Sequence, residues 1–227
     1  MMPQTPTQIA PPPWDLQGNG YVFLYYFPKN FVQEQGFLAG YQQCRYKGGW
    51  FGTVMLVNYE TSGVGPYQEL LFVPGRIRFA QAPAGTWSIS KIYVSSPDSV
   101  WNGIENWGIP KELASFSVTK PHTDEEIIEV SIGENKFFRV HLSQKKFIFP
   151  VTTKILPPLK LAQKRRHDLA ITQISAHGKA AFTRVVDLKV DSQYFPDVSK
   201  AKLLATLAIK DFKMIFPVPE VLKNYFK

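Results

Sequence analysis

The 227-residue chain is 44% hydrophobic and 19% charged, which excludes a disordered chain and suits one large domain with its own core. Its single cysteine, Cys44, excludes an intrachain disulfide. The net charge of +8 is uneven: residues 1–135 hold 8 Lys/Arg against 12 Asp/Glu, and residues 136–227 hold 18 against 6.

Residues 1–13, rich in Pro, Gln and Thr, are expected to form a flexible tail that becomes ordered near Trp14, leaving 14–227 as one domain. The opening residues lack the basic segment and apolar run of a secretion signal, and "YVFLYYF" is far too short to cross a bilayer. A cytoplasmic protein without a transmembrane segment is therefore expected. Strand-like runs then follow one another: "GYVFLYYF", "WFGTVMLVNY", "YQELLFVPGRIRF", "TWSISKIYVS", "LASFSVTK", "EEIIEVSIG", "KFFRVHLS", "KKFIFPVTT", "LAITQISAHG" and "AAFTRVVDLKV". Gly, Pro and Asn-Lys pairs punctuate them, so the spacing predicts a mainly β, antiparallel barrel or sandwich rather than a βαβ fold.

One helix is well signalled in "SPDSVWNGIENWGIP". Ser96 can cap it, Pro97 suits its first turn and Asp98 complements its positive end. Val100, Trp101, Ile104 and Trp107 or Gly108 supply an apolar stripe at helical spacing, and Gly108 with Pro110 ends it. Lys111 then emerges just past the helix end, entering the strand "ELASFSV". A short helix is also expected at "PEVLKNYF".

The chain has no phosphate-binding glycine pattern and no G-x-S-x-G elbow. His122, His141, His167 and His177 are scattered and Cys44 has no second cysteine, so no metal site and no cofactor are expected. "AQKRRH", 162–167, is short and lacks interleaved aromatics; it reads as an exposed loop, and no nucleic-acid partner is expected. In "TSGVGPYQE" a glycine-punctuated turn leads into a strand beginning with Tyr67 and Glu69, which share a face because side chains repeat every second residue.

The pieces "ETSGVGPYQEL", "IYVSS" and "NGIENWGIPKELASF", in this order and spacing, with the final "AKLLATLAIKDFKMIFPVPEVLKNYF", resemble the acetoacetate decarboxylase superfamily. The opening "PPPWDLQGNGYVF" is similar to a divergent branch that includes plant proteins resembling the neoxanthin-deficiency factor. The resemblance implies an antiparallel β-barrel with a few short helices, assembled as a homo-oligomer. It makes Lys111 a Schiff-base nucleophile and Glu69 an active-site carboxylate, with Tyr67, Trp107 and Asn19 as substrate-binding residues. The implied activity is a lyase forming an imine with a small keto acid or ketone: a decarboxylase, or an aldolase or dehydratase. The alternative is a non-catalytic protein binding an apolar or aromatic small molecule in the barrel, with Lys111 paired to Glu69 structurally.

An attacking lysine must be neutral, yet with a reference pKa near 10.4 only about one in a few thousand is neutral at pH 7. Lowering it to ~7 gains almost a thousandfold. Burial and a neighbouring cation both lower it. Burial is available here from Trp101, Trp107, Ile109 and Phe116, but the second lysine of the decarboxylases is replaced by Glu112. The alternation of an extended chain would turn Glu112 to the opposite face. Asn19 stands where the decarboxylases use an arginine, and Val54 where they use a second glutamate.

Overall fold

A computed structural model describes residues 5–48, 50–83, 85–155 and 159–226; of the expected N-terminal tail, residues 1–4 lie outside the described residues. The chain is mainly β. Strands β1 (Trp14–Phe27), β2 (Trp50–Thr61), β3 (Tyr67–Val73) and β4 (Lys91–Val94) are followed by β5 (Lys111–Leu113) and β6 (Ser115–Thr119). Then come β7 (Glu125–Ile132), β8 (Asn135–Thr152), β9 (Leu159–Arg165), β10 (Asp168–Val190), β11 (Lys202–Phe216) and β12 (Glu220–Leu222). The α-helices are α1 (Lys29–Gln35), α2 (Gly40–Gln43) and α3 (Pro97–Trp107).

The sheet runs β5-β4-β3-β2-β1-β11-β10-β8-β7-β6, with β9 and β12 pairing the first half of β10. Its two ends, β5 and β6, are separated in sequence by Ala114 alone, so the sheet must curl until its edges lie side by side. No ladder joins those edges among the described residues, and the sheet is open rather than the expected closed barrel. Ala114 itself donates to the Val94 carbonyl at 3.0 Å, which anchors the crossing.

Apolar side chains fill both faces of this sheet. The larger core holds Phe23, Tyr25, Phe27, Leu70, Phe72, Tyr93, Phe137, Phe138 and Phe195, all nearly inaccessible to solvent. A second core, under α3, gathers Trp14, Leu16, Tyr59, Tyr67, Leu71, Ile92, Trp107, Phe212 and Phe216. Alternation along β3 explains the division: Tyr67 and Leu71 face α3, whereas Leu70 and Phe72 face the larger core.

Several expected elements differ. The segment 67–79 is a strand only to Val73, where Pro74 intervenes, and of residues 86–95 only Lys91–Val94 forms a strand, with Trp87 making isolated bridges to Arg76 and Leu161. Residues 136–152 and 169–190 do not turn; each belongs to one long strand, and β10 absorbs its curvature in register shifts at Ala181/Thr183 and Val185/Asp187. The expected C-terminal helix is instead β12 and a turn, because Val221 and Leu222 pair with Ala170 and Leu169. "AQKRRH" is the end of β9 and the β9–β10 turn rather than a loop, with Arg166 paired to Glu105 at 2.6 Å. A βαβ unit is also present: β4 and β5 are parallel and α3 connects them. No helix among the described residues is long and apolar enough to cross a membrane.

Candidate active site

The β4–α3–β5 unit positions Lys111. Helix α3 begins as its sequence predicts: Ser96 is the N-cap and its hydroxyl accepts from the Ser99 amide at 3.2 Å, with Pro97 in the first turn. It ends at Gly108, whose φ of 70° is the left-handed conformation that glycine adopts without strain. A Cβ there would also stand 2.4 Å from the Lys164 carbonyl oxygen, so the helix end and β9 fit only without a side chain. The chain then enters β5 with Lys111 beside Ile92 of β4.

The buried face of α3 differs from the predicted stripe. Trp107 of that stripe is buried, but Val100, Trp101 and Ile104 are half-exposed, and Ser99, Asn102 and Gly103 are buried in their place. This small, polar face admits the lysine. A Cβ on Gly103 would lie 2.6 Å from Lys111 Cδ, so the aliphatic stem runs directly against the helix backbone. Asn102 fastens the helix from behind: its Oδ1 accepts from the Ala10 amide at 2.8 Å and its Nδ2 donates to the Gln8 carbonyl at 2.8 Å. Asp98 accepts from the Thr7 amide and hydroxyl, and Asn106 donates to the Ala10 carbonyl. The chain before Trp14 thus lies along the 98–102–106 stripe of α3.

The Lys111 amine is enclosed, with 7% of the residue exposed. Its Nζ lies 3.0 Å from Glu69 Oε2, donates to Ser99 Oγ at 2.9 Å and donates to the Tyr67 hydroxyl at 3.2 Å. An ammonium has three N–H donors, and these three acceptors match them. Glu69, 5% exposed, also accepts from the Tyr59 hydroxyl at 3.3 Å through its other oxygen. The two tyrosine rings pack 4.7 Å apart. Strand register brings the group together: Tyr59 pairs with Tyr67, Val57 with Glu69, Glu69 with Val94, and Ile92 with Lys111.

Two opposing effects act on the amine. Burial favours its neutral form, but the Glu69 carboxylate and the Tyr67 hydroxyl together outweigh burial, and its pKa is raised above the ordinary lysine value. Burial pushes the Tyr67 phenol up to about 12 against the pull of Lys111. Tyr59 is pushed well above its usual value by burial and then by the charge of Glu69. Both phenols therefore keep their protons at neutral pH. Glu112 faces away, as strand alternation predicts, and pairs with Lys91 at 2.6 Å on the exposed side of β5.

Three of the sequence-predicted site residues converge: Lys111, Glu69 and Tyr67. Trp107 lies in the neighbouring aromatic cluster, edge-on to Trp14 and Phe216 at 5.1 and 4.9 Å, with Nε1 donating to the Pro217 carbonyl. Asn19 lies elsewhere; it donates to Glu60 at 2.7 Å and accepts from the Asp211 amide at 3.0 Å. Val54 is on the opposite face of β2, in the larger core. Sequence reasoning missed Ser99 and Tyr59. Ser99 is the first member of a Ser99–Asn102–Gly103–Asn106 pattern at helical spacing, the one sequence signal for it. Tyr59 becomes a partner only through β2–β3 register. Among the described residues no three His, Cys, Asp or Glu side chains converge as metal ligands.

The sequence profile for acetoacetate decarboxylase (ADC) matches residues 51–226. No curated protein matches the sequence. Among solved structures, the fold is similar to an acetoacetate decarboxylase (TM-score 0.73, 13% identity, 99% of this chain and 97% of that one). It is also similar to the acetoacetate decarboxylase of Legionella pneumophila (TM-score 0.70, 14% identity, 100% and 94%). A third likeness is to the enduracididine biosynthesis enzyme MppR complexed with pyruvate (TM-score 0.65, 13% identity, 99% and 97%).

Proposed function

Since the chain belongs to the acetoacetate decarboxylase family, we propose that it is a Schiff-base lyase acting on a small keto acid or ketone through Lys111, with Glu69 as the proton carrier. The observation that carries this reading is the buried Lys111–Glu69 contact of 3.0 Å. A transfer over that distance turns ammonium and carboxylate into amine and carboxylic acid. The amine attacks the carbonyl carbon, and a proton passes from nitrogen to oxygen, giving a carbinolamine. The C–O bond then breaks, the hydroxyl takes the Glu69 proton and leaves as water, and the cationic imine remains beside a regenerated carboxylate. The imine accepts the electron pair released when a β-carboxylate departs as carbon dioxide, or when Glu69 removes a proton from the adjacent carbon. Cyanoborohydride with a panel of keto acids and ketones tests this: a reduced adduct at Lys111 by peptide mass spectrometry is expected, and an unmodified Lys111 across the panel refutes it.

A second reading is favoured by the match between three ammonium donors and three acceptors. In it, Lys111 and Glu69 are a structural pair in a protein that binds an apolar or aromatic molecule without forming an imine. An apolar ligand that co-purifies, and that a Lys111→Ala variant still binds, supports it over the lyase. Both readings include a cytoplasmic homo-oligomer, which light scattering and cell fractionation test.

A further inference from the structure

Charge is distributed very unevenly around Lys111. The face of the sheet that carries Glu69 presents Tyr67 and Leu71 on β3, and Tyr59, Val57 and Met55 on β2. It continues with Gly18, Gly20 and Val22 on β1 and with Phe212, Ile209 and Leu207 on β11. In these four strands Glu69 is the only charged residue of the patch. Val57, directly across from Glu69, and Met55, Val22, Ile209 and Leu207 beyond it are half-buried rather than sealed. On the other side, Lys111 is the only buried cation among the described residues. Glu112 is turned outward to Lys91, and Asn19 is held by Glu60 and the Asp211 amide.

A substrate carboxylate entering this site would be stripped of water beside Glu69. Its one available counter-charge would be the nitrogen that must also hold the imine. An unpaired buried charge is strongly disfavoured, whereas a neutral carbonyl compound leaves the one-to-one balance of Lys111 and Glu69 intact. The half-buried apolar surface beside Glu69 can cover an apolar body but offers no group to pair with an anion.

From this charge balance and the uncharged sheet face, we propose that the substrate is a neutral ketone or aldehyde with an apolar body, not a keto acid. The inference rests on the imine reading of Lys111 and narrows it. The imine nitrogen then serves C–C cleavage or loss of water next to the carbonyl, with Glu69 moving the proton, and no carbon dioxide is lost. Condensation stays balanced: the ammonium and the carbonyl give the protonated imine and one water, both water hydrogens coming from nitrogen.

The experiment compares matched probes on the intact protein under cyanoborohydride: acetone with pyruvate, and phenylacetone with phenylpyruvate. Peptide mass spectrometry reads the adduct at Lys111 relative to the exposed Lys120 and Lys136 of the same molecules, which cancels the intrinsic reactivity of each probe. The Lys111-to-surface ratio is expected to be at least about tenfold higher for each neutral member than for its acid, and higher for phenylacetone than for acetone. Equal ratios, or a preference for the acids, overturn the inference and leave the imine reading standing. No adduct at Lys111 with any probe, while the surface lysines react, overturns the imine reading and this inference with it.

Discussion

Glu69→Gln isolates what keeps the Lys111 amine protonated. The substitution retains shape and one acceptor but removes the charge 3.0 Å from Nζ. With an effective dielectric constant near 20, a unit-charge attraction at that distance is about 5 kcal/mol, equivalent to roughly 4 pH units. Burial, which already opposes the charge, is then countered only by neutral acceptors, so the lysine should titrate below its ordinary value. Part of the Coulomb figure is recovered by the remaining hydrogen bonds, and a downward shift of at least about 2 pH units is expected. Protein labelled with carbon-13 at the lysine Cε gives a direct reading, with Lys111 assigned by its absence in Lys111→Met. In the wild type the Lys111 resonance should titrate above the exposed lysines, and in Glu69→Gln below them. If the midpoint is the same in both proteins, Glu69 does not govern the amine and the reasoning fails.

Stability should follow pH with a definite sign. The folded pKa of Lys111 is raised, so its contribution is fully present below the unfolded value near 10.4 and is lost as pH rises through the folded value. Urea midpoints of the wild type, less those of Lys111→Met/Glu69→Leu, should be flat up to about pH 10 and decline above it; a decline starting near neutrality would contradict this. At pH 7 Lys111→Met alone should cost about 3–5 kcal/mol by leaving Glu69 uncompensated, and the double variant should recover most of that loss, as urea unfolding can measure. Gly103→Ala gains about 1 kcal/mol of helix propensity but puts a methyl 2.6 Å from Lys111 Cδ. Overpacking of about 1–3 kcal/mol should win, giving a lower urea midpoint together with less adduct at Lys111. Ser96→Ala removes the α3 cap and should cost about 1 kcal/mol with an unchanged m-value.

The helix that carries the site was legible because its signals are local. Ser96, Pro97 and Gly108 act within one turn of their own backbone, and each occupies its predicted role. The pairing of Tyr67 with Glu69 on one face was equally local, since strand alternation needs no partner. The buried face of α3 was misread for a physical reason. Hydropathy ranks Val100, Trp101 and Ile104 as the inward stripe, but the inward face must accommodate a lysine stem and a bonded strap, which calls for Gly103, Ser99 and Asn102. Tyr59 was invisible because β2–β3 register is a tertiary property. At the C-terminus, the helix-like "PEVLKNYF" pattern yields to β10, whose edge beside Leu169 and Ala170 accepts Val221 and Leu222 as a strand. The parallel β4–β5 pair was missed because a three-residue β5 has too little sequence to show a period.

The raised pKa of Lys111 sets a condition on any imine chemistry at this site. The resting ammonium has three donors and three acceptors, but a protonated imine has a single N–H. If all three acceptors were carboxylates or carbonyls, imine formation would leave two buried acceptors with nothing to bond, at a cost of about 1–3 kcal/mol each. Two of the three are hydroxyls, Ser99 and Tyr67, and a hydroxyl donates as readily as it accepts. Turning its proton toward Glu69 or toward a substrate oxygen lets each change role without moving its oxygen. Burial holds the Tyr67 phenol at about 12 against the pull of Lys111, so its proton is present to be turned. The carboxylate carries a proton during condensation and is regenerated at its end, so it balances a positive charge that sits on the same nitrogen before and after. Burial alone therefore does not keep Lys111 neutral. The arrangement keeps the charge and lets the hydroxyls absorb the change in donors.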